Sequence, residues 1–197
     1  MRNRKICKIF LALLLMAPVS AFAQIISVGA QVGWSVPKGE VFKYGDQKSA
    51  KGGLNVDADV LYHFSLLGGG RLAAGVTYNG SLLFGANVNN MDIGLYGLSL
   101  YGAKGYFKVL PGPISPYAAL SIGVAHLSTP KMSSDDGTQV SKSKSANAFG
   151  LRPEIGIKLT NFTISAGYIV PTDYSFDSGT KNAGIFQISL GMRFGFL

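Results

Sequence analysis

The sequence predicts an all-β chain: a transmembrane, antiparallel, up-and-down β-barrel of about eight strands. Three observations lead there. The 197 residues have a mean hydropathy of +0.26 and only 14% charged side chains, yet beyond the first 23 residues the apolar side chains never gather into a run long enough for a spanning helix. Instead they recur at every second position in a series of segments, a period that no helix produces. The two faces so defined also differ in size. One carries mainly Leu, Ile, Val, Phe, Tyr and Trp, the other Gly, Ser, Ala and Asn with scattered charges.

Residues 1–23 read as a cleaved signal peptide. Arg2, Arg4, Lys5 and Lys8 form a positive head, residues 9–16 a short apolar run, Pro18 a break, and Ala21-Phe22-Ala23 a small-residue cleavage site. The run is too short for a spanning helix, which needs roughly 20 residues. The predicted mature chain is 24–197, a single barrel domain. Export removes the only cysteine, Cys7, so disulfides and cysteine metal sites are excluded. It also removes four basic residues and no acids, which takes the formal charge from +8 to +4. The basic isoelectric point is therefore partly a targeting feature and does not point to nucleic acid.

The strands follow in order. Ile26, Val28, Ala30, Val32, Trp34 and Val36 alternate with Ser27, Gly29, Gln31, Gly33 and Ser35. Leu54, Val56, Ala58, Val60 and Tyr62 alternate with Asn55, Asp57 and Asp59, and Leu72, Ala74, Val76 and Tyr78 with Gly75, Thr77 and Asn79. A fourth segment covers 93–107, with its parity ambiguous around Gly97. Ala118, Leu120, Ile122 and Val124 mark the fifth, and Phe149, Leu151, Ile155 and Ile157 the sixth. Phe162, Ile164, Ala166 and Tyr168 mark the seventh. The last holds Phe186, Ile188, Leu190, Met192, Phe194 and Phe196 on one face.

Alternation alone does not say which face is inside. An eight-stranded barrel has an interior just wide enough for side chains to fill. Several bulky residues per strand would overfill it, so the small and polar face goes inward. The bulky face then points outward, and only lipid tolerates that much exposed apolar surface. With the N-terminus in the periplasm, the outer loops are 37–50, 85–90, 129–146 and 171–182. The inner turns are 64–70, 110–115 and 160–161. Three of the four outer loops exceed every inner turn, as membrane barrels require. Aromatic girdles are expected from Trp34, Phe84, Phe149 and Phe186 at the outer interface and from Tyr62, Tyr106, Phe162 and Phe196 at the inner one.

Pro116-Tyr117 opening a strand that continues to Gly123, the stretch Phe149-Gly150-Leu151-Arg152-Pro153-Glu154-Ile155-Gly156-Ile157, and the closing strand to Phe194-Gly195-Phe196-Leu197 resemble the small outer-membrane β-barrels of the OmpA/OmpX type. The resemblance covers essentially the whole predicted mature chain. It implies the outer membrane of a Gram-negative bacterium, reached through the periplasm, with folding by the barrel-assembly machinery. That machinery reads a terminal aromatic in the family; here Phe196 is penultimate and Leu197 last.

Asp57, Asp59, Arg152, Glu154, Lys158 and Arg193 fall on the inward face, where unpaired charges would be costly, so a network of charge pairs is expected. Lys38, Lys43 and Lys48 in the first outer loop, and Lys131, Lys142 and Lys144 in the third, are candidate contacts to lipopolysaccharide phosphates. The third loop could also extend its strands above the membrane as an adhesive edge. His126 and Ser128 share one face, like the His-x-Ser pair of outer-membrane lipid A deacylases. A serine nucleophile needs a base and the base an orienting acid. The outward positions of the following strand, Phe149, Leu151, Pro153 and Ile155, offer none, and Asp135 and Asp136 are available only from the third loop. His63 has no clustered ligands. The expectation is a monomeric, non-catalytic barrel without metal or cofactor, serving envelope integrity or surface adhesion and embedded among outer-membrane lipid and lipopolysaccharide. The alternatives are a narrow pore and a lipid A-modifying enzyme.

Overall fold

A computed structural model describes residues 26–44, 47–65, 71–88, 91–109, 112–130, 132–134, 139–141, 143–176 and 179–196. The expected signal segment, 1–23, lies outside the described residues. Eight long strands carry the fold: β1 (Ile26–Lys38), β2 (Ala50–Ser65), β3 (Arg71–Gly85), β4 (Tyr96–Lys108), β5 (Ile114–Ser128), β6 (Ser145–Leu159), β7 (Phe162–Phe176) and β8 (Gly179–Phe196). Each pairs antiparallel with its neighbours in sequence, and β1 closes on β8 from Ile26↔Phe196 to Lys38↔Gly184. The result is a closed up-and-down barrel, the architecture that satisfies spanning backbone groups without water, with the β6–β7 ladder confined to Glu154↔Gly167 through Leu159↔Phe162.

Alternation decides the faces. On β1, Val28, Val32, Trp34 and Val36 are exposed while Ser27, Gln31 and Ser35 are buried. The same holds around the ring: Val32 is 63% and Ile155 67% exposed, although neither could remain so in water without cost. The end with the short connections, among them the Thr160–Asn161 turn with Thr160 at φ 55, is the periplasmic end. The narrow bore bends the wall sharply. A Cβ on lumen-facing Gly123 would strike the Tyr101 carbonyl oxygen, and one on Gly102 that of Ile122, so neither position accepts a larger residue.

Three expectations need correction, and one assignment left open is settled. The strands hold 13–18 residues, more than the 9–11 a tilted span needs, and rise well above the apolar band. Residues 171–182 are therefore mostly strand and not a loop: β7 and β8 stay paired through Thr172↔Ala183 to Phe176↔Gly179, after a register shift between Ile169 and Thr172. Second, the lumen is not lined throughout by small and polar groups. Its outer half is filled by Leu83, Leu98, Leu100, Leu127, Ile169 and Ile185, all fully buried, with Tyr96 and Tyr174. A short 3-10 turn in the first loop (Glu40–Phe42) folds Val41 and Phe42 onto this plug, Phe42 packing edge-on to Tyr96 at 5.4 Å. Third, Tyr106 faces the lumen at 2% exposure, and Phe107 takes the expected place on the inner girdle. The faces of β4, ambiguous in the sequence, are now fixed: Tyr96, Leu98, Leu100, Lys104 and Tyr106 point inward, and Tyr101, Ala103 and Phe107 outward. Above the membrane, residues 87–88 and 91–93 of the second loop join 132–134 and 139–141 of the third in a four-stranded sheet.

Candidate functional site

Charged side chains on spanning strands can only face the lumen, and alternate strands supply them here. β2 gives Asp57 and Asp59, β4 Lys104, β6 Arg152 and Glu154, and β8 Arg193, all at most 5% exposed. They form one chain of alternating sign. The Arg193 guanidinium donates to Asp59 Oδ2 at 2.7 Å and lies 2.6 Å from Oδ1. Lys104 Nζ sits 3.0 Å from both Asp59 Oδ2 and Glu154 Oε2. Arg152 pairs with Glu154 and reaches Asp57 Oδ2 at 3.2 Å. Three positive and three negative groups thus neutralise one another, which is the condition for keeping ions out of water.

Neutral groups from β3, β5 and β8 complete the network. Tyr117 donates to Glu154 Oε1 at 2.8 Å, Arg152 Nε to Gln187 Oε1 at 2.7 Å, and Gln187 Nε2 to Asn79 Oδ1 and Ser81 Oγ, each at 2.8 Å. Asn79 also binds Asp57. The Arg193 guanidinium carbon lies 5.1 Å from the Tyr106 ring centre, close enough for cation–π attraction. Below this layer Leu61, Ala73, Tyr106, Tyr117 and Ala119 form a second, smaller apolar cluster.

Of the six charges expected to pair, five are brought together here and Lys158 is not. It lies on the lumen face but at the periplasmic rim, opposite Ser115 and Thr163. Lys104 takes its place. The signal that could have found Lys104 was arithmetic: three inward acids needed a third deep cation, and Lys104 is the only charge in its strand apart from the terminal Lys108.

His126 points outward above the apolar band. Its Nδ1 donates to the Asn147 side-chain oxygen at 2.7 Å. The cross-strand neighbours of His126 and Ser128 are Ser99, Gly97, Asn147 and Ser145, so an amide occupies the place where a catalytic base needs its acid. Asp135 and Asp136 lie outside the described residues. His63 shares a 2.7 Å hydrogen bond with Ser27. Among the described residues no group of three His, Cys, Asp or Glu is arranged to hold a metal.

Of the external lysines, Lys38, Lys43 and Lys48 are exposed and Lys144 half-buried, while Lys131 and Lys142 lie outside the described residues. Lys43 and Lys48 face each other across a two-residue ladder.

The family model for the outer membrane protein beta-barrel domain matches residues 9–194. Among solved structures, Ail, the attachment invasion locus protein of Yersinia pestis, in complex with the heparin analogue sucrose octasulfate, is 19% identical with a TM-score of 0.55, over 86% of this chain and 99% of that one. Neisserial surface protein A (NspA) is 18% identical with a TM-score of 0.56, over 87% of this chain and 97% of that one. At such identities the likeness is one of fold. No curated protein matches the chain in sequence.

Proposed function

The chain belongs to the outer-membrane β-barrel family and resides in the outer membrane of a Gram-negative bacterium, and from that premise we propose that it is a non-catalytic surface protein acting through its external loops. The observation that supports this most is the contrast between the two halves of the lumen axis and the exterior. The outer half of the bore holds a buried apolar cluster above a charge-balanced ion chain, whereas the strands continue outward into a β7–β8 hairpin and a four-stranded sheet. Material is invested in what lies outside the cell, and little is left for a pathway through it. Within this reading, Lys38, Lys43, Lys48 and Lys144 stand where lipopolysaccharide phosphates would meet them. The like-charge pair Lys43–Lys48, unfavourable alone, gains by binding an anion.

Adhesion is the direct test. Cells displaying the intact chain should adhere to a host-cell layer several-fold better than cells displaying a variant in which residues 87–93 and 132–141 are replaced by short turns. Equal adhesion by two equally folded barrels removes the surface role.

The pore reading predicts current, and the plug predicts none. Purified barrel in planar bilayers should give no steps above the lipid baseline at about 1 M salt, because buried Leu98, Leu100, Leu127 and Ile185 pack together in the outer half of the bore. Regular conductance steps would reinstate the pore. For the enzyme reading, His126→Ala should leave the acylation pattern of lipid A in expressing cells unchanged by mass spectrometry. A wild-type-specific loss of an acyl chain that the substitution abolishes would establish catalysis instead.

A further inference from the structure

The barrel wall is not stitched equally all the way round. Seven of its eight seams stay in register over at least ten residue pairs. The β6–β7 ladder stops at Glu154↔Gly167. Beyond it, residues 145–153 pair only with β5 and residues 168–176 only with β8. The sequence supplies a reason. Pro153 stands where the ladder ends, Pro171 falls within the register shift between Ile169 and Thr172, and neither has an N–H to donate. The gap costs less for the same reason, since an absent donor cannot be left unsatisfied in hydrocarbon. It begins on the membrane side of Phe149, in the outer girdle, and therefore opens onto the outer leaflet.

Behind this gap lies the apolar cluster of the outer bore. Ala146 and Ala148 on β6 and Phe176 on β7 pack against it yet are only half-buried. Leu98, Leu100, Leu127 and Ile185, on other strands of the same cluster, are fully buried. Both strands that border the gap thus leave the cluster reachable from the side. A second feature points the same way. Tyr174 belongs to this cluster and is 0% exposed, and among the described residues its hydroxyl has no hydrogen-bond partner. Tyr96, the other tyrosine of the cluster, shares a 2.8 Å hydrogen bond with Ser49. A buried hydroxyl left unsatisfied costs free energy unless something binds it.

We propose that the unpaired β6–β7 stretch is a lateral portal through which one linear acyl chain enters the outer bore from the outer leaflet, its carboxyl or ester oxygen accepting from the Tyr174 hydroxyl. The chain lies along Ala146, Ala148 and Phe176. From Tyr174 down to Ile169 the strand covers roughly 15 Å, a depth that suits an extended tail. The Arg152–Gln187 contact of the ion network closes the floor beneath it. Moving a tail from lipid into an apolar bore gains little by itself. The hydrogen bond to Tyr174, made where water is excluded, therefore sets the preference. The same chemistry arrives as a free fatty acid or as a chain still esterified to a lipid.

The test uses the full barrel in phosphatidylcholine nanodiscs and palmitic acid carrying a photoreactive diazirine near the end of its chain. Illumination should label bore-facing Leu100 and Ile169, mapped by tandem mass spectrometry, as well as outward residues such as Val32 and Leu190. Excess plain palmitate should compete away the bore labelling alone. Tyr174→Phe, which keeps the packing, should raise the half-saturating concentration about tenfold. Ala148→Trp, which fills the gap, should abolish bore labelling. Both variants should keep outward labelling and heat-modifiable migration on gels. Phosphatidylcholine bearing the same diazirine chain separates the sources: bore labelling by the free acid alone marks a fatty-acid site, and labelling by both a site for lipid chains. Labelling confined to outward residues with both probes, or bore labelling that neither substitution alters, overturns the proposal.

Discussion

Replacing Arg152 with methionine should lower the free energy of unfolding by about 3–5 kcal/mol, the usual cost of removing one member of a buried ion pair. Arg152 is 1% exposed and serves Asp57, Glu154 and Gln187 together. Glu154 keeps Lys104 and Tyr117 after the change, but Asp57 keeps only neutral donors: Asn79 and, more distantly, Asn55 and Ser189. The penalty is thus the stranding of one carboxylate in a dry bore. The second half of the argument is a rescue. Asp57→Asn added to Arg152→Met deletes the stranded charge and should recover most of the loss, a coupling that a double-mutant cycle reads directly. Urea titration in lipid vesicles, followed by the fluorescence of Trp34, the only tryptophan, gives all four free energies. A loss smaller than about 1 kcal/mol, or a double variant no better than the single, would mean that water reaches the network and that the bore is not dry.

The next largest effect is expected on the opposite face. Val32 lies midway along the outward stripe of β1, flanked by Val56 and Leu190, and nothing in the protein covers it. Val32→Arg should cost about 2–4 kcal/mol in a bilayer, and Val36→Arg, near the outer interface, about 0–1 kcal/mol. Val32→Leu should be close to neutral. The gradient with depth is the informative quantity. It arises only if hydrocarbon surrounds the barrel, and arginine substitutions of equal cost at the two positions would contradict that placement.

The parts of the fold legible in the sequence are those where lipid imposes the pattern. Val28, Val32 and Trp34 had to alternate with Ser27, Gln31 and Ser35 because one face meets acyl chains, and a charge such as Glu154 or Arg193 on a spanning strand had nowhere to go but inward. Legibility failed where that contrast vanishes. On β4, Tyr96, Leu98 and Leu100 are apolar yet face the plug, so inward and outward positions look alike, and Lys104 was hidden with them. Tyr106 reads as an inner-girdle residue for the same reason, one residue from Phe107, which belongs there. Residues 171–182 read as a loop because Asp173, Ser175 and Thr180 are polar. Above the membrane water meets the strand, and a polar sequence can still pair. The outer half of the bore was expected to be lined by small residues on volume grounds. Large ones fit because flanking positions such as Ala125, Gly150 and Ala183 give up the space.

The ion chain also bears on how the cylinder comes to be sealed. Its members arrive on the even-numbered strands, and the final cation, Arg193, comes three residues before the end of the last one. Until that hairpin docks, Asp59 has only Lys104, and the growing sheet carries an imbalance that hydrocarbon punishes. Completion therefore brings seam and counter-ion together in a single step, so a half-assembled intermediate gains little by entering the bilayer early. A last strand docked out of register would leave Asp59 without Arg193.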